Sequence, residues 1–418
     1  MARQKASNAA VNAPRGALPA NGPAMTRKRR SESEEYRTSK GYQEKIVAGS
    51  MDLSFFIIVM VLLVIGIVMM FSASYAISIY EDTGGLHYVK RQIAFACVGL
   101  VGMLVVSRID YHFLRKAWVA YGLFGFALFL LVLVLALPTN RSDGFKRWIY
   151  VGGTSFQPSE IMKLAIIVLF AYIISVNYSR MKTFKYGILP FGIVLAAVSG
   201  LMIFEPHLSG TVIICAIGFI MIFVGGTNIK HLLSIGLSGV ALMVGYVAYK
   251  MSQNELGHVF SRIQSWMDPF ADTSGNTWQT QQSLIAIGSG GLFGLGLGNS
   301  RQKYQYLPEA ENDFVFAIVC EELGFIGAMM VILLFALFIF RGFYIAAKAP
   351  DKFGMMLAVG LTVQIGLQAL LNIAVVTNTI PNTGISLPFF SYGGTALTMQ
   401  LVQMGIILNI SRQAMLET

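Results

Sequence analysis

Long apolar runs alternate with short polar ones along most of this chain. They lie near 52–75, 90–106, 117–137, 160–178, 187–204, 210–226, 231–249, 314–340, 354–376 and 394–411. A helix needs about 20 apolar residues to cross a bilayer. In hydrocarbon every backbone N–H and C=O must be paired within the chain, so the runs predict about ten transmembrane helices. The expected fold class is all-α integral membrane, with a long loop between the seventh and eighth helices, at about 250–313. Residues 51–413 form the expected membrane domain. Residues 1–50 mix Ala, Asn, Pro, Ser and Arg without apolar periodicity and predict a disordered basic tail.

Composition agrees. Of 418 residues 55% are hydrophobic and 12% charged, against roughly 25% charged in a soluble domain. The basic region ahead of Leu53–Tyr75 is too long for a signal peptide, and that run is long enough to remain as an anchor. Thr26–Arg30 (TRKRR) reads as a flank drawn to anionic lipid, and no nucleic-acid partner is expected. Cys97, Cys215 and Cys320 lie in or beside apolar runs and imply no disulfide framework. No two histidines have metal-ligand spacing, and no repeat is visible.

Charge sets the orientation. With the tail inside, the inside loops hold Arg108, Arg115, Lys116, Arg180, Lys182, Lys185, Lys230, Arg341, Lys348 and Lys352, and Arg412 closes the last run. The outside loops, about three times longer in total, hold only Lys90, Arg91, Arg141, Lys146, Arg147, Lys250, Arg262, Arg301 and Lys303. Both termini are therefore expected in the cytoplasm of a bacterial inner membrane, and the long loop outside.

That loop gathers Asp268, Asp272, Glu309, Glu311 and Asp313 among aromatics, amides and a glycine run at 288, 290, 291, 294, 296 and 298. Such glycines suit φ > 0 or close approach of the backbone to a ligand. The segment reads either as a lid or re-entrant piece or as a flexible connector; no phosphate-loop spacing is present. Ionisable residues within the runs are the second signal. Glu160 and Lys163 in FQPSEIMKLA share a helix face. Glu321 and Glu322 are about 100° apart, so only one can face a given cavity. In EPHLSG, Glu205 and His207 interrupt the chain, and His207 reads as a turn residue. Thr377–Gly394, with two prolines, cannot be one helix and is expected beside the long loop.

FQPSEIMKLA, NSRQKYQYLPEAENDFVFAIVCEELG and PNTGISLPFFSYGGT, in that order and with FSASYA at Phe71–Ala76, resemble the signature blocks of the SEDS family (shape, elongation, division, sporulation), over about 50–411. The resemblance implies a peptidoglycan glycosyltransferase that polymerises lipid II on the outer face of the membrane. A class B penicillin-binding protein (the transpeptidase) and other division or elongation proteins are the implied partners. It also implies an essential aspartate a few residues before an aromatic–Gln pair: Asp272 before Trp278–Gln279, with Asp268 as competitor. Relatives often read PDxGT where this chain has PHLSGT, a variant that leans toward the FtsW/SpoVE branch and puts in doubt a carboxylate role there.

Joining two lipid-linked disaccharides requires a base for a sugar hydroxyl and positive charge for the departing pyrophosphate. Asp272 is the expected base, acting with inversion and without a covalent sugar intermediate. Arg262, Arg301 and Lys303 are the expected pyrophosphate partners. Gln279, Ser283, Glu309, Asp313, Glu160, Lys163 and Ser391 complete the expected substrate contacts. A divalent cation (Mg or Mn), held by Asp268, Glu309 or Asp313, is a further expectation; no organic cofactor is implied. A lipid II flippase and a division scaffold are the alternatives.

Overall fold

The computed structural model describes residues 49–82, 84–137, 147–151, 154–205, 208–252, 265–271 and 277–414. The N-terminal tail, Arg262, Asp272 and His207 lie outside the described residues. A helix coincides with each of the ten apolar runs: α1 Leu53–Tyr80, α2 His87–Val106, α3 Ala117–Ala136, α4 Pro158–Asn177, α5 Leu189–Phe204, α6 Leu208–Val224, α7 Ile229–Ser252, α9 Val315–Lys348, α10 Lys352–Val376 and α11 Gly394–Gln413. An additional helix, α8 (Trp278–Gly290), lies within the long loop. Seven of the described helices are long and apolar enough to cross a bilayer, and the chain is a multi-pass membrane protein. A short antiparallel hairpin, β1 (Ile149–Val151) with β2 (Thr154–Phe156), pairs Ile149 with Phe156 and Tyr150 with Ser155.

Helices α4 and α10 form the centre. Their apolar windows are 78% and 72% buried, whereas the other five spans are at most 39% buried and turn most of their surface to lipid. Pro158 at the start of α4 fits the first turn, where its missing N–H is no loss.

The long loop is a built structure. Ser283 Oγ donates to the Val376 carbonyl (2.8 Å), pinning α8 to α10. The glycine run then turns along α9: Leu295 N–H donates to Glu321 O, Gly296 N–H to Glu322 O, and Phe325 and Ile326 N–H to Gly291 and Leu292 O. These contacts lie roughly 9–16 Å along α9 from its start. Leu292, Phe293 and Leu297 are 62%, 80% and 58% exposed at this depth, beside the exposed Phe325 and Ile326. Together they form an exposed apolar patch beside α9. Glycine is required at two meeting points. A Cβ on Gly294 (φ +79) would stand 2.1 Å from Glu322 O, and one on Gly324 (φ +67), where α9 breaks, 2.3 Å from Gly294 N.

A buried polar clasp holds this segment. Lys303 Nζ donates to Glu322 Oε1 (3.0 Å), Gly298 O (2.6 Å) and Ser72 Oγ of α1 (3.1 Å). Glu321 accepts from Ser300 Oγ (2.5 Å) and from the N–H groups of Arg301 and Gln302. The two adjacent glutamates converge on the same loop, both bonded to Ser300, and neither lines the polar cavity described below.

At the opposite end of the bundle the approach to α1 meets the end of α11. Gly49 N–H donates to Arg412 O, Asp52 N–H to Ser411 Oγ, and Asp52 pairs with Arg341 of α9 (2.8 Å). Nearby, His112 bridges Asp110 (2.7 Å) and Asp351 (2.6 Å), the N-cap of α10. Its hydrogen bond to Asp351 raises the imidazole's pKa against the opposing effect of burial. Burial alone would raise Asp351, but hydrogen bonds from His112, Gly354 N–H and Tyr111 outweigh it and hold the carboxyl at about 2. The His112 contribution is complete below the ordinary histidine value of about 6.5 and is lost as pH rises through its raised value. The Asp351 contribution is complete above the ordinary carboxylate value of about 4 and is lost only as pH falls toward that lowered value. Thermal unfolding in detergent is therefore expected to show a decline as pH rises above about 6.5 that His112→Gln lacks; equal pH profiles for the two proteins would disprove the clamp.

Candidate functional site

A cavity of about 650 Å³ opens at the end of the bundle away from Gly49 and Arg412. Its walls come from α2, the β-hairpin, α4, α6, α8, α10, the 309–313 turn and the 382–396 segment. Each element delivers polar side chains to one space. Arg91 comes from the first turns of α2, Arg147 from the approach to β1 and Lys163 from the second turn of α4. Glu309, Asn312 and Asp313 line the opposite side with Gln279 of α8.

Glu160 and Lys163 face the cavity as an ion pair of 2.8 Å, 7% and 4% exposed. Their i,i+3 spacing, legible in the sequence, places them on one face. Gln279 bridges the two polar loops: its Nε2 donates to Pro308 O (3.2 Å) and its Oε1 accepts from Asn382 Nδ2 (2.9 Å). The expected neighbourhood of the long loop and Thr377–Gly394 is thus observed, reinforced by Tyr392 N–H on Glu311 O (2.8 Å) and Asn378 Nδ2 on Trp266 O (3.1 Å). Glu309 takes a positive φ of 54° and accepts from Asn312 Nδ2 (2.6 Å).

Electrostatics differ around the rim. Burial pushes Glu311 up to about 7, and Glu309, Glu81 and Asp313 push the same way. Near neutrality Glu311 is thus partly protonated, which limits the negative charge gathered there. Burial pushes Glu205, at the end of α5, up to about 8, opposed by Arg147.

Five of the expected site residues are placed elsewhere. Lys303 is spent in the clasp, with Nζ buried against Glu322. Arg301 is exposed and outside the cavity lining. Ser283 is fully buried with its hydroxyl on Val376 O. Ser391 Oγ donates to Asn312 O (2.5 Å) and accepts Leu387 N–H (2.7 Å), a loop pin and not a cavity group. Asp268 is exposed, accepts Phe270 N–H (3.3 Å) and does not line the cavity. Asp272 and Arg262 fall outside the described residues. The cations that do reach the cavity, Arg91 and Arg147, stand among the outside basic residues, but only folding shows which of those converge. Among the described residues no three of His, Cys, Asp and Glu come together as a metal set. The three cysteines are free thiols.

Comparison with known proteins follows this geometry. The family model described as cell cycle protein FtsW/RodA/SpoVE matches residues 52–416. Stage V sporulation protein E of Bacillus subtilis (strain 168) is 42% identical over 87% of this chain and 97% of its own length. The probable peptidoglycan glycosyltransferase FtsW of Trichlorobacter lovleyi is 40% identical over 86% and 93%. Among solved structures, a chain of a peptidoglycan synthase complex that coordinates polymerization and crosslinking superposes with a TM-score of 0.71 at 26% identity, covering 87% of this chain and 98% of that one. The rod shape determining protein RodA of Thermus thermophilus superposes with a TM-score of 0.63 at 25% identity, covering 88% and 98%. With a match over nearly the whole described bundle, the chain belongs to the FtsW/RodA/SpoVE family.

Proposed function

We propose that this protein is a peptidoglycan glycosyltransferase that polymerises lipid II on the extracytoplasmic side of the inner membrane, its termini in the cytoplasm. The carrying observation is the convergence of Arg91, Arg147 and Lys163 in one cavity with Gln279, Glu309 and Asp313. The cations suit a diphosphate whose negative charge grows as it leaves. The family names support the reaction class: relatives are named as glycosyltransferases, and a structural neighbour belongs to a synthase complex. The density of Lys and Arg supports the orientation.

In this reading the donor's pyrophosphate lies against the cationic wall and the acceptor sugar enters from the loop side. Asp272 removes the acceptor hydroxyl's proton. It directly follows Ala271 and stands seven residues before Gln279, which lines the cavity. The hydroxyl attacks the anomeric carbon, the bond to the pyrophosphate breaks, and undecaprenyl pyrophosphate leaves, inverting the linkage. The synthase-complex neighbour supports a transpeptidase partner of the penicillin-binding class.

The test is incubation of the purified full chain with lipid II, with and without that partner. Glycan ladders from the wild type, and none from a folded Asp272→Asn variant, are expected. Ladders at wild-type rate from Asp272→Asn would shift the base to Asp268. Lipid II crossing vesicles with no ladders would make the protein a transporter.

A further inference from the structure

The cavity is also lined by groups that the diphosphate chemistry leaves unused. Ser159 and Glu160 come from the first turn of α4, and Gln368 comes from α10, roughly 12 Å along the helix from its Val376 end. All three are more than nine-tenths buried: Ser159 is 2% exposed, Glu160 7% and Gln368 3%. Glu160 Oε1 receives Lys163, but Glu160 Oε2, Ser159 Oγ and Gln368 Oε1 have no protein donor. A buried acceptor without a donor is costly, so such atoms ordinarily face a partner. Glu160 Oε2 and Gln368 Oε1 accept and cannot donate. Their complement carries O–H or N–H groups and is not an anion.

The cavity thus has two chemistries: the cations Arg91, Arg147 and Lys163, which suit an anion, and the acceptors of Gln368, Glu160 and Ser159, which seek a donor. A phosphate-linked sugar carries both complements on one molecule. We propose that Gln368 is a specificity residue whose side-chain carbonyl accepts a hydrogen bond from a hydroxyl or acetamido N–H of the sugar next to the diphosphate. The proposal rests on the polymerase reading and deepens it.

The experiment compares the purified full chain and Gln368→Met, a side chain of equal length without polar atoms, in nanodiscs. Unfolding temperatures verify the fold, and glycan formation is measured against the concentration of lipid II. The substrate is also supplied as analogues each lacking one donor group, a hydroxyl or the acetamido N–H. Gln368→Met is expected to raise KM about tenfold, the factor one net hydrogen bond supplies, with kcat little changed. One analogue that is poor for the wild type is expected to lose that penalty in Gln368→Met, because its missing partner is already absent. If every analogue carries the same penalty in both proteins, or KM is unchanged while kcat falls, Gln368 does not read the sugar. Absence of glycan from the wild type would instead overturn the polymerase reading, and this proposal with it.

Discussion

Lys303→Met is expected to destabilise the protein by about 3–5 kcal/mol, because it strips the counter-ion from a carboxylate with no access to water. Lys303 and Glu322 side chains are 2% and 0% exposed, and the same Nζ also holds Gly298 O and Ser72 Oγ. Loss of that ammonium leaves Glu322 with the Ser72 hydroxyl and Ser300 N–H as its remaining donors. Glu322→Gln in the same chain removes the uncompensated charge and should recover most of the unfolding temperature, with polymerisation recovering alongside it. A single Lys303→Met protein that unfolds at the wild-type temperature would show that the clasp contributes nothing.

Lys163→Met is expected to behave differently although it breaks a similar pair. Glu160 is left buried and unpaired, so stability falls by a comparable amount, on the order of 3–5 kcal/mol. Adding Glu160→Gln should restore the unfolding temperature. It should not restore turnover: with the ammonium gone from the cavity wall, kcat/KM for glycan polymerisation is expected to stay about 10²–10³-fold low, the usual loss for one preorganised charge-stabilising donor. The contrast separates a lysine that holds the fold from one that serves the reaction. Near-normal turnover in the Glu160→Gln/Lys163→Met protein would remove Lys163 from the mechanism.

The positions of the helices were legible because hydrocarbon leaves the backbone few options, and a run of apolar residues states its length directly. The Glu160–Lys163 pair was legible because its partners sit one turn apart. The glycine run was legible as a place of positive φ and close approach, which Gly291, Gly294, Gly296 and Gly298 show. The fate of Lys303 was not legible. Its partners are Glu322, 19 residues on, and Ser72, 231 residues back, and nothing local distinguishes it from a lysine meeting phosphate. The cavity was hidden for the same reason: Arg91, Arg147 and Gln368 come from separate helices and loops, and nothing in the sequence near any one of them points to the others. Ser283 and Ser391 were misplaced because a serine that pins a carbonyl and a serine that meets a ligand have the same side chain and the same kind of neighbours in sequence.

The glycine-rich tip packed along α9 carries a consequence for biogenesis. Its backbone partners on α9, Glu321 to Ile326, follow it in the chain, and the acceptor for Ser283 on α10 lies 93 residues downstream. When Leu292–Leu297 leaves the ribosome, its socket has not yet been synthesised. Those partners exist only once α9 and then α10 have been made, so this part of the molecule is completed backwards, from later helices to an earlier loop.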